Sequence, residues 1–342
     1  MGLLDEPRYR AFLADTHPHL GIDDGRLGGI PSFLAPLDVR EPLAPGPMRK
    51  AAYAARPLLP SVITPPALFI GTPFEPYDQT SLAAQCDPNE LSAKIRDTAE
   101  GCAVAVITNV RPAELDLARW SDAGWVALPS FPDTTIDLSV DSFEAHLLRL
   151  PAGDRSGMRR NCRRFERAGH RIERVSDSGP LAEALFDCYL PFFERAAVRW
   201  QAHTRAYFGG LTALGPGVHL AVARSASGRI IGFVVGFEDE RGLQAGRIGV
   251  HPDFHRKDAV YFRLIYHVIE AALTRFGGTP SRLSMEPTGY RLKRHLGAER
   301  VRMVNLVLGL DATWRFLLDH FDGLGQRLLG HLQRPAALER LY

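Results

Sequence analysis

The residues whose types and spacing could do chemistry lie in the last third of the chain. Tyr290 and Lys293 stand three apart in a segment that reads as a short helix, so they share a face. Just before them, Glu286 ends a strand beside Pro287, where its carboxylate could take a proton, orient a cationic group or cap the helix that follows. His251 closes an earlier strand. Its imidazole titrates near neutral pH, as a general base must, although a turn histidine bonded to backbone is an equally simple reading. Arg247 sits inside that same strand, where an unpaired charge is costly; it must meet a carboxylate, either a substrate acid or a structural glutamate. Proton transfer and charge pairing need few residue types beyond these.

The elements that position this set follow from the periodicity around it. Val218 to Ala223, a Ser-Ala-Ser-Gly turn, Arg229 to Phe237, the acidic turn Glu238-Asp-Glu240, and Leu243 to Val250 read as three antiparallel strands in succession. A turn at Pro252 leads to an amphipathic helix from about Ala259 to Phe276, stopped at Gly277-Gly278. A strand at Ser281 to Met285, the short helix Gly289 to His295 ending at Gly297, and a final strand Arg300 to Leu310 complete the order. Upstream, Arg155 to Ala168 is a basic helix with Met158, Cys162 and Phe165 on its apolar stripe; His170 to Val175 is a strand, and Leu181 to Trp200 a long helix. Further upstream again, a helix near Pro88 to Glu100, a buried strand Ala103 to Ile107, a helix Ala113 to Asp122 and strands Trp125 to Leu128 and Thr134 to Leu138 suggest a small α/β lobe. Residues up to about Pro76 are broken by nine prolines from Pro31 to Pro66 and read as extended. From Thr313, apolar residues at Trp314, Leu317, Leu318, Phe321, Leu324, Leu328 and Leu332 mark an amphipathic helix. The division expected is 1–64, 65–152, 153–312 and 313–342.

Bulk properties exclude several classes. A chain of 342 residues, 45% hydrophobic and 23% charged, can build two cores, and a formal charge of +2 gives no global reason to bind nucleic acid. Cys86, Cys102, Cys162 and Cys188 are far apart and form no C-x-x-C pair, which fits a reducing cytoplasm better than a zinc site or a disulfide framework. The first residues carry Asp5 and Glu6 in place of a basic leader, and no apolar run is long enough for a bilayer, so a cytoplasmic protein without a membrane span is expected. His251 and His255 flank Asp253, yet the pair straddles a proline turn with no further ligand nearby, and no metal is expected. Walker, nucleophile-elbow and zincin motifs are missing from the sequence.

The order of strands and helices, with four passages, resembles the GNAT acyltransferase superfamily and, within it, the two-lobed FemABX-like group that includes peptidoglycan-biosynthesis acyltransferases. The passages are Gly124 to Leu128 with Thr134 to Leu138 and a Ser-Phe-Glu helix, the basic Met158 to Gly169 helix, Phe262 to Ala272, and Tyr290-Arg-Leu-Lys-Arg-His-Leu-Gly-Ala298. The resemblance implies an α/β (α+β) fold with a GNAT-like mixed sheet and flanking helices: a degenerate N-terminal lobe and a catalytic C-terminal one. It implies an enzyme that acylates an amine on a peptide, amino acid or specialised metabolite, with oxyanion donors from backbone N–H near Val250. Tyr290 and Lys293 would then lie where the family places its leaving-group acid or substrate-stabilising lysine, with His251 or Glu286 as base, and Arg247 and Trp200 on the substrate side.

One departure bears on the donor. Where CoA-dependent members of the superfamily have an R-x-x-G-x-G loop that cradles a diphosphate, this chain has His255-Arg-Lys-Asp-Ala-Val260, so Asp258 and Val260 replace both glycines. An acidic and a β-branched side chain there oppose an anion. Donors considered are therefore a thioester on acyl-carrier protein, a CoA thioester held through Arg256 and Lys257, and aminoacyl-tRNA as in the FemABX group; the arginine-rich face of Arg155 to Arg167 could meet acyl-carrier protein or tRNA. A non-catalytic GNAT-like binding module is the competing class.

Overall fold

Alternating and 3.6-residue apolar patterns settle into two sheets with helices against them. The computed structural model describes residues 7–18, 21–22, 25–38, 50, 53–72, 78–195, 202–254 and 256–320. Its chain divides into two units, each assembled from separated stretches: Met1–His17 with Thr134–Glu286 and Arg291–Glu299, and Pro18–Asp133 with Pro287–Tyr290 and Arg300–Tyr342.

The second unit holds a five-stranded sheet. β1 (Ser32–Pro36), β2 (Pro66–Ile70), β3 (Val104–Val110), β4 (Trp125–Pro129) and a strand from near the end of the chain lie in the order β1-β2-β3-β12-β4, where β12 is Val304–Gly309. β3 is buried along almost its whole length, as expected for a strand paired parallel to β2 and covered on both faces. A helix, Pro88–Thr98, is capped by Asp87, which accepts from the N–H groups of Asn89 and Glu90. A helix over 312–320 buries Trp314 and Leu318; Phe321, Leu324, Leu328 and Leu332 lie outside the described residues.

The first unit is built on a seven-stranded sheet. β5 (Asp133–Asp137), β6 (Arg171–Arg174), β7 (Val218–Arg224), β8 (Ile230–Asp239), β9 (Gly242–Val250), β10 (Arg282–Ser284) and β11 (Glu299–Val301) take the order β11-β5-β10-β9-β8-β7-β6. The expected three-strand meander is β7-β8-β9, and its first turn depends on Gly228 at φ +84°. β10 pairs parallel with β9 and antiparallel with β5. Gly242 is where these backbones approach most closely: a Cβ there would overlap the Arg282 carbonyl oxygen. The long helix Val260–Phe276 buries Val260, Leu264, Val268, Ile269, Ala272 and Leu273 in the core of this unit. The basic helix Ala152–Arg167 lays Met158 and Phe165 against the same core.

Three features differ from the expectation. The stretch Arg300 to Leu310 is not one closing strand: it divides at Arg302-Met303 into β11 and β12, and β12 inserts between β3 and β4 of the other sheet. Val304, Leu306, Val307 and Leu308 are buried, and Asn305 accepts from the Asn109 N–H of β3. β5, read with the N-terminal lobe, belongs to the sheet of β9 and β10. Finally, the N-terminal stretch is not all extended. Pro7–Thr16 is a helix whose Tyr9, Leu13 and Thr16 fall at one-turn spacing and are buried, with Tyr9 against Phe237 and Phe12 against Tyr207.

Candidate active site

β9 and β10 run side by side only from Gly242 to Gln244, because β10 ends at Ser284. From Ala245 to Val250, β9 continues with β8 on one side and no β10 alongside on the other. In the same stretch the register against β8 shifts: two residues of β9, Gly246 and Arg247, lie opposite Val235 alone. Such a bulge re-aims a side chain at the point where pairing stops. Arg247 is the residue it re-aims.

Beyond β10 the chain turns sharply. Glu286 and Thr288, neither of them glycine, adopt φ of +59° and +70°, and Gly289 follows at +58°. A non-glycine residue in this region costs about 1–3 kcal/mol and persists only where its surroundings hold it. Here Lys293, on the short helix Tyr290–His295, donates its ammonium to the carbonyls of Met285 and Glu286, the latter at 2.8 Å. Thr134 Oγ donates to the same Glu286 carbonyl at 2.6 Å, and Met285 N–H to the Thr134 carbonyl at 2.7 Å. Charge-assisted hydrogen bonds of this kind contribute about 1.5–3 kcal/mol each, enough to offset the strain.

The turn delivers the Glu286 carboxylate to the open side of β9. Gln244 Nε2 donates to Oε1 and Arg247 to Oε2, both at 3.2 Å. Arg247 Nε donates in turn to His203 Nε2 at 3.0 Å. His203 is fully buried and stacks on Tyr207 with ring centroids 3.9 Å apart, and its backbone N–H donates to the Tyr189 hydroxyl. Burial, followed by the positive charges of Arg247 and His17, pushes its pKa well below the ordinary 6.5. The ring is therefore neutral, with Nε2 as acceptor and the proton on Nδ1. Glu286 is nearly buried, while Arg247 keeps 28% of its side-chain surface exposed. The arrangement is a carboxylate fixed by two donors beside a strand edge, suited to binding a cationic amine and taking its proton.

The structure brings together Glu286, Arg247 and Lys293 and adds Gln244 and His203. A polar residue in the apolar run of β9 was the sequence signal for Gln244; none pointed to His203, 44 positions from Arg247. The carboxylate that Arg247 had to meet is Glu286. Other expected site residues lie elsewhere. Tyr290 is 2% exposed, donates its hydroxyl to the Pro132 carbonyl at 2.9 Å and packs on Phe131 beneath Arg300, so its phenol is committed within the second unit. His251 lies four residues past Arg247, roughly 13 Å along a strand, with Nε2 at 2.5 Å from an Arg229 nitrogen and Nδ1 at 3.4 Å from the Asp253 carboxylate. The Val250 side chain is wholly in the core, which leaves its backbone as the group to consider. Arg256 and Lys257 are exposed on the turn before the long helix. Trp200 and His255 lie outside the described residues. Burial raises the thiol pKa of all four cysteines, that of Cys188 to about 12, so none is poised as a thiolate.

On that helix-start turn, Asp258 and Ala259 both take left-handed conformations, at φ +53° and +58°. The Asp258 carboxylate lies 3.2 Å from His170 Nε2, and the His170 ring is held edge-on between Phe165 and Phe254.

The site combines a meander, a strand that stops short of its neighbour, a long helix and a carboxylate at the gap. Residues 152–279 match the family described as Acetyltransferase (GNAT) domain. In fold the chain is similar to FemX, with 12% identity over 75% of this chain and 87% of that one and a TM-score of 0.51. It is also similar to L-PGS from Bacillus licheniformis (14% identity, 96% and 99% covered, TM-score 0.49) and to a GCN5-related N-acetyltransferase from Kribbella flavida (13% identity, 90% and 96% covered, TM-score 0.40). No curated protein matches the chain in sequence. Residues 152–279 thus match a GNAT acetyltransferase domain, and the fold of the chain is similar to that of FemX. Among the described residues, no helix is long and apolar enough to cross a membrane.

Proposed function

We propose that the protein transfers an acyl group from a carrier thioester to the amine of a peptide, amino acid or specialised metabolite, with Glu286 as the proton acceptor. The observation that carries this reading is the position of Glu286 at the end of β10, braced by Arg247 and Gln244 where β9 runs on alone. The acceptor arrives as an ammonium, attracted to the carboxylate, and loses one proton to it. Its nitrogen attacks the thioester carbon, and backbone N–H groups of the Val250 stretch meet the developing oxyanion. As the tetrahedral intermediate collapses, the C–N bond remains, the C–S bond breaks, and the proton shed by nitrogen goes to the leaving thiolate. Lys293 acts by holding the Glu286 backbone in place.

The basic helix supports a macromolecular carrier. Arg160, Arg163, Arg164 and Arg167 are exposed and fall within one face opposite Met158 and Phe165, with no acidic residue among them. Such a face suits an acidic acyl-carrier protein; the second reading, aminoacyl-tRNA as donor, rests on the same arginines. The test is to offer an amine pool with acyl-carrier-protein thioesters, CoA thioesters and aminoacyl-tRNA in parallel and follow products by mass. Acyl transfer from the carrier protein, weakened when the four arginines become glutamine, supports the proposal; transfer only from aminoacyl-tRNA selects the second reading, and no transfer from any donor returns the protein to the class of binding modules.

A further inference from the structure

The GNAT fold implies CoA as one donor handle, and its diphosphate would seat on the turn that starts the long helix Val260–Phe276. The residues there do not fit it. Asp258 and Ala259 keep the left-handed backbone that glycine usually supplies, so the turn retains its shape while carrying side chains. One of those side chains is a carboxylate at the positive end of a 17-residue helix. It is tied to a specific partner: His170 Nε2 at 3.2 Å, on a ring only 6% exposed and fixed by Phe165 and Phe254. Arg256 and Lys257, which precede Asp258 on this turn, are both exposed, and Arg229 and Asp253 form a separate pair.

We infer that Asp258 and His170 form a donor-selecting latch, in which an internal carboxylate takes the place of a donor diphosphate and excludes CoA thioesters from the helix start. The inference rests on the acyl-transfer reading above and narrows its donor to one held through the carrier's own surface. Like-charge repulsion and the extra side-chain atoms act in the same direction, while Ala259 and Val260, 7% and 0% exposed, leave the turn little room to open.

Calorimetric titration with CoA, and with pantetheine, which lacks the diphosphate together with the phosphorylated adenosine beyond it, tests the latch without requiring turnover. Wild type should bind CoA no more tightly than pantetheine. Asp258→Asn, which tolerates the left-handed turn, and Asp258→Gly should each gain affinity for CoA by at least about tenfold, the scale of a relieved like-charge contact, with pantetheine unchanged. Asp253→Asn removes a nearby exposed carboxylate and should leave CoA binding as it is. The latch is overturned if wild type already prefers CoA tenfold or more over pantetheine, if neither Asp258 variant gains, or if Asp253→Asn gains as much. Loss of turnover in a Glu286 variant is read separately, so failure of the latch and failure of the reaction are distinct results.

Discussion

Arg247 and Glu286 meet at 3.2 Å across a place where their strands have parted. Arg247 belongs to the bulge in β9, and Glu286 lies two residues past the end of β10, so neither would reach the other in a regular sheet. The pair exists because pairing stops at Ser284 and the backbone of Glu286 turns to positive φ. One irregularity thus opens the gap, and the other fills its rim with a carboxylate.

Lys293 holds that second irregularity. Lys293→Met removes the charged donor from two carbonyls while keeping an apolar stem, and should cost about 2–4 kcal/mol. Urea unfolding measures it; a loss under about 0.5 kcal/mol, the scatter of surface substitutions, would mean that the turn supports itself.

Neutral, buried histidines give the first unit an acid-sensitive stability. His203 and His146 both have folded pKa values below the ordinary 6.5, chiefly through burial. Above pH 6.5 neither state binds the proton and the groups contribute no slope. As pH falls below 6.5 the unfolded chain takes up protons that the folded one refuses, so stability declines until the folded pKa values are reached. Each histidine adds up to about 1.4 kcal/mol per pH unit. His203→Gln, which retains a side-chain acceptor, should remove one such increment from the slope between pH 6.5 and 5.5; an unchanged slope would show that His203 is protonated in the fold.

Gly249 lets a helix approach the open strand. A Cβ there would overlap the Phe233 ring and lie 2.8 Å from the Cys188 carbonyl oxygen of the helix Ala182–Arg195. Gly249→Ala should destabilise by about 1–3 kcal/mol through overpacking, seen as a lower thermal midpoint; a neutral change would mean that the helix yields.

The elements with punctuation were the legible ones. Gly228 and Gly242 bracket β8, Gly277 ends the long helix and Ser142 caps the helix Phe143–Arg149, so the meander and the helix order could be read from local chemistry. Arg247 was also legible, because a charge inside a strand demands a partner, and Glu286 as an acid at a strand end; Lys293 stood out only by its spacing from Tyr290, and the two carbonyls it meets left no trace in the sequence. The fate of β12 was not, since an apolar run states that it will be buried and not in which sheet. Nor was Tyr290 placed: its spacing from Lys293 was right, yet its hydroxyl answers to Pro132, 158 positions earlier, and no local pattern records that bond. The N-terminal helix was hidden by the prolines that follow it, although Tyr9, Leu13 and Thr16 carry its stripe.

Glu286 as proton acceptor is tested most directly by the pH profile of kcat/KM for wild type and Glu286→Gln with one carrier thioester and one amine. Glutamine matches glutamate in size and keeps one oxygen to accept from Arg247 but cannot take a proton, so kcat/KM should fall by about 10²–10⁴ while the protein stays folded, and the loss should shrink as rising pH deprotonates the amine itself. A Glu286→Gln enzyme that keeps wild-type kcat/KM at neutral pH would contradict the central claim.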